Sequence, residues 1–455
     1  MKTNRLGIPP GPTVAEARHL LEQHQEKAWL MMAQTYGKNF LYQGNLVTCD
    51  PRLVEALLMD RTHTQRRSSV YKYASWMIPM APGLLFMDGD AWEKRLRAVM
   101  PVFTKANVDS YAECMHQQIE QHLAHWQENQ LFEDLYTLLV NLNSSLFLKV
   151  GCGLNPNEAG ARQLGRTLID FKFHYMNTQS RLDDFGIGKQ QLTRLPRFLQ
   201  AQWHRVRKKR QLYTQIDALL NQQQKGDARG LNWMSRLREA DFSASETADE
   251  VNHLYGAYNA LDYVLTGALY ELSKRPVLAE TLRTEFRTVL GERGYPTRDD
   301  FRLLTHTLQF MKEVLRIYPA TMAVARRFGE SMTVDGITIP KGQETLILLH
   351  ALHHHPDFWE RPDHFEPSRW QSEPTVSYTY VPFLTGPRKC IGQHLAELNF
   401  VIVLNALLQT YSIEVFDTTI RLAPFMIPRF ERKVAGILRR RKREAPTLSG
   451  NELNA

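Results

Sequence analysis

The segment from Phe383 to Gly392 constrains the fold of this chain most, because it sets a cysteine between two glycines directly before an apolar helical pattern. Gly386 permits a tight turn with positive φ, and Gly392 lets the backbone approach a bulky group, since neither residue has a Cβ. The N-terminal N–H groups and the dipole of the following helix favour an anion at the sulfur of Cys390. The segment therefore predicts a turn that presents a stabilised thiolate at the start of a helix.

Two further residues of this loop carry chemistry. Phe383 is placed to shield the sulfur from water. Arg388, two residues before Cys390, is placed to donate charge-assisted hydrogen bonds to a carboxylate of a bound group. A lone cysteine is most often a buried structural thiol. That explanation leaves the spacing of the phenylalanine, the arginine and both glycines without a reason.

The spacing Phe-x-x-Gly-x-Arg-x-Cys-x-Gly resembles the haem-binding signature of the cytochrome P450 family, which is highly specific. The resemblance implies a bound haem b whose iron is held by the Cys390 thiolate. The loop residues that it implies as contacts of the cofactor are Phe383, Gly386, Arg388 and Gly392. It also implies the family fold, which is mainly α-helical with a small β region (α+β).

A different metal site is conceivable from the spacing of cysteine and histidine. It would join Cys390 to His394 and take its other ligands from the histidines of residues 350–355. We rank it lower, because zinc sites usually show a second closely spaced ligand pair. The four cysteines are far apart and form no Cys-x-x-Cys pair, so we expect neither a disulfide framework nor a zinc finger, and a cytoplasmic location.

Glu313 and Arg316 lie three residues apart in an amphipathic segment and so share one helix face. They resemble the Glu-x-x-Arg motif of the family, and Arg369 resembles the third member that packs onto the pair. Glu-x-x-Arg alone is common on solvated helices, so only its order and spacing relative to Cys390 give it weight. The implied role is structural: to fix the loop beneath the haem.

The resemblance also implies basic residues that bind the haem propionates. Arg326 matches one such position, and Arg388 matches another. A second position usually has the pattern Trp-x-x-x-Arg. Here Trp92 is followed by arginines at Arg95 and Arg97, with leucine at the position between them. We assign Trp92 and Arg97 to the cofactor, and the choice between the two arginines stays open.

The apolar spacing predicts helices over most of residues 13–320 and a small sheet after them. A hairpin is expected in residues 332–340 around Asp335-Gly336, followed by a buried strand in 345–349 and an irregular meander in 356–382. No internal repeat or low-complexity linker divides the chain, so we expect a single domain over residues 1–455, with a basic polar tail from about residue 439.

The central helix, expected over residues 246–273, departs from the family pattern. Counting back from Pro276, the positions that usually hold an acid and a threonine are Asn259 and Ala260. The usual pair orders water and delivers protons during oxygen activation. Alanine cannot donate and asparagine cannot titrate, although Asn259 can still hydrogen-bond water or substrate. Asp262 could substitute, but a surface-facing or capping role is equally compatible with its position.

The implied activity is oxidation, chiefly monooxygenation, of a mid-sized and largely apolar small molecule in biosynthetic metabolism. The resemblance places this substrate near residues 70–87, 171–198, 255–260, 320–325 and 424–428. Electrons would come from a separate protein, and the net charge of +8 suits an acidic ferredoxin or flavodoxin with its reductase. Lys389 and Arg388 lie on the expected docking side.

Other readings stay open because of Asn259 and Ala260. The enzyme could use peroxide instead of dioxygen, or catalyse a rearrangement, dehydration or coupling. A non-enzymatic haem sensor is a third possibility, although nothing resembles an output domain. Neither nucleic-acid-binding motifs nor a leader or anchor segment are expected, since no zinc-finger spacing appears and the longest apolar runs fall short of a bilayer's thickness.

Overall fold

A computed structural model describes residues 7–59, 66–67, 83–182, 191–222, 232–417, 419–422 and 428–442. Helices dominate these residues, as the sequence predicts. The α-helices are α1 Val14–His24, α2 Ala28–Tyr36, α3 Pro51–Leu58, α4 Gly89–Val99, α5 Lys105–Ser110, α6 Ala112–Leu123, α7 Leu135–Leu146, α8 Ala159–Leu182, α9 Gln191–Gln222, α10 Trp233–Glu239, α11 Ala244–Tyr258, α12 Ala260–Ser273, α13 Pro276–Leu290, α14 Thr305–Ile317, α15 Leu349–His354 and α16 Gln393–Thr410.

The described strands are short and form three sheets. They are β1 Asn39–Tyr42, β2 Asn45–Thr48, β3 Arg66–Arg67, β4 Asn129–Phe132, β5 Ala323–Arg327, β6 Met332–Val334, β7 Ile337–Ile339, β8 Glu344–Leu348, β9 Tyr411–Val415 and β10 Gly436–Arg440. The sheet orders are β1-β2-β8-β5-β3, β4-β10-β9 and β6-β7.

The largest sheet differs from the expectation of strands only after the helices. Its first two strands come from the N-terminal region, and β2 pairs in parallel with β8, with Val47 opposite Leu346. The strands β1 and β2 are joined by a two-residue turn at Gln43 and Gly44, which have φ values of 51° and 78°. Strands of four residues are too short for their alternating pattern to be distinguished from the neighbouring helices, so the sequence pattern does not predict them.

The hairpin expected in residues 332–340 is confirmed. Val334 pairs with Ile337 across the turn, and the two turn residues, Asp335 and Gly336, have φ values of 48° and 78°. Aspartate followed by glycine is the typical sequence of such a turn, because both positions require positive φ. The buried strand expected next is β8, which begins and ends one residue earlier than predicted.

The central helix is interrupted where the sequence analysis expects it to be continuous. It consists of α11 and α12, which meet at Asn259, where φ is −75° and ψ is −2°. The start of α11 is capped by Ser243, whose side chain accepts a hydrogen bond from the Glu246 N–H while the Glu246 carboxylate accepts one from the Ser243 N–H. Almost every residue of α12 is buried, so this half lies in the core.

Two apolar clusters form the core of the described part. The larger one surrounds α12 and α16, where Leu265 and Leu404 are fully buried. The smaller one lies between the large sheet and helices α2 and α3, and includes Val47 and Ile347. Apolar burial of this kind supplies the main driving force for folding, and it fixes α16, which follows the cysteine loop, against the central helix.

The C-terminal region is more ordered than the expectation of a tail from residue 439. Arg439 and Arg440 belong to β10, where they pair with Ser412 and Tyr411 of β9. Residues 443–455 lie outside the described residues. Among the helices that are described, none combines the length and the apolar character needed to cross a bilayer.

Candidate functional site

The cysteine loop is closed by backbone hydrogen bonds. The Cys390 N–H donates to the Phe383 carbonyl at 2.8 Å, and the Lys389 N–H donates to the Gly386 carbonyl at 3.1 Å. Gly386 has a φ of 72°, and a Cβ at this position would lie 1.9 Å from the carbonyl oxygen of Leu58. Both its conformation and its close approach to the end of α3 therefore require glycine.

Gly392 is the residue before α16 and differs from Gly386 in what surrounds it. A Cβ on Gly392 would lie 3.8 Å from the Phe103 ring and 3.9 Å from the Cys390 sulfur, which are ordinary contact distances. The protein's own packing therefore leaves room for a side chain here. A residue without a Cβ at this position leaves that space open to a group bound beside the sulfur.

The Cys390 side chain is accessible to solvent, although nearby protein atoms remove enough water to raise the pKa of its thiol. The Gly392 N–H works in the opposite direction by donating a hydrogen bond to the sulfur. The helix start therefore favours the anion, as expected, but less strongly than desolvation disfavours it. A metal cation bound at the sulfur would reverse this balance, since a coordinating thiol is deprotonated.

Arg388 and Trp92, which the sequence assigns to one site, have side chains in contact with each other. The Arg388 guanidinium lies 3.7 Å from the centre of the Trp92 ring. It also donates to the Met87 carbonyl at 3.0 Å and to the Asp88 carboxylate at 2.9 Å. The loop is thereby joined to the segment that precedes α4.

The two arginines of α4 point in different directions. Arg97 has a side chain that is 77% exposed and pairs with Glu93 one turn earlier, so the structure does not bring it to Trp92 and Arg388. Arg95 is buried and donates to the Glu250 carboxylate at 3.0 Å. The helical period explains the difference, because residues 92, 95 and 99 share the inner face of α4.

Arg326 is a buried residue of strand β5, where it pairs with Thr345 of β8. Its Nη1 donates a hydrogen bond to the backbone carbonyl of Ala325 at 3.0 Å. A buried guanidinium needs partners for its donors. The strand pairing fixes the backbone from which this side chain extends.

Glu313 forms the centre of a buried ion-pair network. Its carboxylate accepts from Arg316 at 2.8 and 2.9 Å and from Arg369 at 3.1 Å. The Trp370 indole N–H and the Glu366 backbone N–H also donate to it, at 2.9 and 2.8 Å. Both Glu313 and Arg316 are fully buried, so this is not a solvated helix pair. The network joins α14 to the meander, as the resemblance implies.

Arg316 extends the same network into the backbone of the meander. Its guanidinium donates to the carbonyls of His353, Pro362 and His364 at distances of 2.7 to 3.0 Å. These contacts satisfy a charge that burial would otherwise penalise. They also hold the meander to α14 through main-chain atoms, independently of its side chains.

At the interruption of the central helix, Asn259 is buried. The Tyr255 hydroxyl interacts with it electrostatically, but neither amide atom has a hydrogen bond of good geometry within the described residues. Ala260 is partly buried and begins α12. A buried amide without hydrogen bonds of good geometry is costly, so this position is suited to a bound water or ligand.

Asp262 is fully buried, which excludes a surface-facing role. Its carboxylate accepts hydrogen bonds from Lys172 of α8, at 2.8 Å, and from Asn143 of α7. Burial raises the pKa of this carboxyl, and the Lys172 charge opposes the shift. Burial by itself lowers the pKa of Lys172, but the negative partner raises it overall. Asp262 is therefore committed to a buried ion pair.

The histidines of the alternative metal site are buried in helix α15 and beside it. Burial is the largest cause that lowers the pKa of His350 to about 4 and that of His353 to about 3. His353 accepts a hydrogen bond from the Val381 N–H at 3.2 Å, so it supports the meander. Within the described ranges, no group of three or more histidine, cysteine, aspartate or glutamate side chains is arranged to hold a metal ion.

Two residues that the sequence analysis did not single out, Glu250 and His253, also lie next to this region. They accept hydrogen bonds from the backbone of Leu84 and Leu85. The available signal was a pair of polar residues three apart on an otherwise buried helix.

Of the expected substrate segments, residues 70–82, 183–190 and 424–427 lie outside the described residues.

A solvent-accessible cysteine at a helix start, backbone space beside its sulfur, and a meander fixed by a buried carboxylate are the features that a haem-thiolate site requires. The family comparison agrees: residues 9–428 match the family model described as Cytochrome P450. The chain belongs to the cytochrome P450 family. Members of this family bind haem b through a cysteine thiolate, so haem b is the cofactor of this chain.

Several characterised relatives are similar over a limited part of the chain. Cytochrome P450 3A5 of Homo sapiens is 32% identical over 167 residues, which are 36% of this chain and 33% of the relative. Cytochrome P450 3A16 of Mus musculus is 32% identical over 171 residues, or 37% and 34% of the two chains. The match spans about a third of each relative's length, so it does not carry over their activities.

Proposed function

We propose that this chain is a haem-thiolate monooxygenase that oxidises a mid-sized, largely apolar small molecule, with Cys390 as the axial ligand of the iron. The observation that carries the proposal is the closed loop around Cys390, with backbone space at Gly392 for a bulky group. The buried network of Glu313 supports it by fixing the meander that leads into this loop. A role in biosynthetic metabolism is part of the same proposal.

The residues around the sulfur have separate tasks in this proposal. Bound haem supplies oxygen chemistry, which an axial thiolate favours by donating electron density. Phe383 excludes water from the sulfur, and its carbonyl positions the Cys390 N–H. Arg388 and Arg326 bind the propionates by charge-assisted hydrogen bonds, and Trp92 supports the Arg388 guanidinium from one face.

Arg97 remains the weaker candidate for a propionate contact, since its side chain is exposed and paired with Glu93. Arg95 is buried, but Glu250 already neutralises its charge. The carboxylate-binding role is therefore proposed for Arg326 and for those donors of Arg388 that Met87 and Asp88 do not occupy. An Arg97→Ala variant is the control for substitution of Arg388 or Arg326. It removes one positive charge from an exposed side chain and breaks no buried contact.

A separate redox partner supplies the electrons in this proposal. The surplus of basic residues gives a net charge of +8, and Lys389 is exposed next to Cys390. Complementary charge speeds the encounter of two proteins and makes it sensitive to salt. An acidic ferredoxin or flavodoxin, working with its reductase, fits these properties.

A second candidate function is a haem-thiolate enzyme that uses peroxide or catalyses a reaction without oxygen transfer. The observation that favours it is the buried Asn259 amide next to Ala260, where neither residue can supply a proton. Asp262 does not replace the missing acid in the described arrangement, because Lys172 and Asn143 occupy its carboxylate.

The test begins with the spectrum of the reduced protein with carbon monoxide, which reports thiolate ligation. Turnover of a panel of apolar compounds is then compared between reductase with ferredoxin and hydrogen peroxide. Monooxygenation predicts faster turnover with the protein partner. Turnover with peroxide alone supports the second candidate, and a spectrum without the thiolate signature contradicts both.

A further inference from the structure

The residues Gly83–Asp88, here called the bridging segment, contact both elements that form the walls of the proposed haem site. One wall is the central helix. The Leu84 N–H donates to the Glu250 carboxylate at 3.2 Å, and the Leu85 N–H donates to His253 Nε2 at 3.1 Å. Two consecutive backbone amides are therefore held by two side chains that share one face of α11.

The other wall is the cysteine loop. Near the end of the bridging segment, the carbonyl of Met87 and the carboxylate of Asp88 both accept hydrogen bonds from Arg388, at 3.0 and 2.9 Å. Arg388 stands two residues before Cys390. The bridging segment thus runs from the helix on one side of the site to the loop that carries the axial ligand.

Close packing holds the first residues of the segment against His253. A Cβ on Gly83 would lie 2.4 Å from the His253 ring, so only glycine fits without a shift. The Phe86 ring meets the same imidazole edge to face, with 5.8 Å between the ring centres. The histidine is therefore fixed by contacts on more than one side.

Charge compensation holds Glu250 in place. It is fully buried, and Arg95 of α4 donates to it at 3.0 Å. The Arg95 guanidinium in turn lies 5.0 Å from the Phe242 ring centre. Helix α4 follows the bridging segment directly, so this ion pair fixes both the start of the segment and the helix at its end.

We propose that Glu250 and His253 are positioning residues, which hold the bridging segment across one edge of the haem site and thereby limit the size of molecule that reaches it. This inference rests on the proposed function, because it assumes that the site binds haem and a small-molecule substrate. Nε2 of the imidazole accepts the Leu85 N–H, so the proton of the neutral ring is assigned to Nδ1. A side chain without an acceptor at that place releases the Leu85 amide.

The test uses the full-length, haem-loaded protein and a matched pair of variants. His253→Phe keeps an aromatic ring against Phe86 but has no acceptor, whereas His253→Gln keeps an acceptor. Amide hydrogen exchange of Leu84 and Leu85 is measured by mass spectrometry or NMR. We expect exchange of the Leu85 amide to accelerate about fivefold to tenfold in His253→Phe, the effect of one lost hydrogen bond. We expect it to stay near the native rate in His253→Gln.

The second readout is binding of neutral iron ligands of two sizes, imidazole and 4-phenylimidazole. His253→Phe should increase the association rate of the larger ligand more than that of the smaller one, and His253→Gln should restore the native ratio. If His253→Phe does not accumulate as folded protein, Gly83→Ala displaces the same ring and should give the same pattern.

Unchanged exchange of Leu85, or equal changes in the phenylalanine and glutamine variants, overturns the inference. An unchanged preference between the two ligands overturns the part that concerns size selection. Amide exchange reports the position of the segment whatever reaction the enzyme catalyses. Failure of the carbon monoxide spectrum removes the proposed function, while the exchange result still decides the positioning role.

Discussion

The Glu313 carboxylate and the Arg316 guanidinium form a two-point contact, with N–O distances of 2.8 and 2.9 Å, between two fully buried side chains. The same carboxylate also binds Arg369 and two N–H groups of the meander. Loss of the carboxylate would leave the fully buried Arg316 guanidinium without a charged partner, whereas Arg369 keeps a longer contact with Glu366 at 3.6 Å.

The first prediction concerns this network. Glu313→Ala should cost about 3–5 kcal/mol of folding free energy, because it leaves buried charge uncompensated. We also expect it to prevent haem incorporation, measured as the haem content per chain. Glu360→Ala is the control, since the side chain of Glu360 is 91% exposed in the same region. A soluble and fully haem-loaded Glu313→Ala protein would contradict the prediction.

The second prediction concerns the axial ligand. Cys390→Ala should abolish the thiolate signature of the reduced carbon monoxide complex, because no other described cysteine lies in this loop. Cys114→Ala should keep the signature and serves as the matched control. Retention of a thiolate spectrum in Cys390→Ala would show that another residue holds the iron.

The third prediction concerns the missing hydroxyl at the start of α12. Ala260→Thr should change the ratio of product formed to electrons consumed, because a hydroxyl next to Asn259 can order water and pass protons. Ala260→Val has the same shape without the hydroxyl and should leave the ratio unchanged. If the ratio is the same in both variants and in the native protein, the side chain at position 260 has no role in oxygen activation.

The fourth prediction concerns acid stability. Burial lowers the pKa of His350 to about 4, so the unfolded chain binds this proton at higher pH than the folded protein does. Stability should therefore fall as the pH drops from about 6.5 towards 4, by up to roughly 3 kcal/mol for this group. Urea unfolding at several pH values measures the slope.

His350→Gln removes this titration and should make the pH dependence of unfolding shallower. His19→Gln, at an exposed position, is the control and should leave it as it is. Asp262 contributes with the opposite sign: its pKa is raised mainly by burial, so its share of stability is lost as pH rises through the folded pKa. An identical slope in His350→Gln and the native protein would refute the assignment.

Local chemistry made part of the site predictable from the sequence. The turn at Gly386, the helix start after Gly392 and the hairpin at Asp335 each depend on a few adjacent residues with strong conformational preferences. The Glu313 network was also anticipated, since its members follow a recognisable spacing. In these cases the conformational preferences of neighbouring residues determine the local structure.

What escaped prediction depends on tertiary packing. The break at Asn259 has no proline beside it, and Gly256 lies inside the last turn of α11 and not at the break. The inward turn of Arg95 in place of Arg97 follows from the rotation of α4 against α11. The buried state of Asp262 depends on Lys172, 90 residues earlier in the chain. Single-sequence periodicity contains no information on such distant partners.

The pairing of Val47 with Leu346 has a consequence for the order in which the protein is made. At typical rates of about 5–20 residues per second, a ribosome needs roughly 15–60 s to add the intervening residues. During that time strand β2 has been synthesised while its parallel neighbour does not yet exist. An exposed strand edge readily pairs with other chains, so yield during expression should depend on chaperones and on the speed of translation.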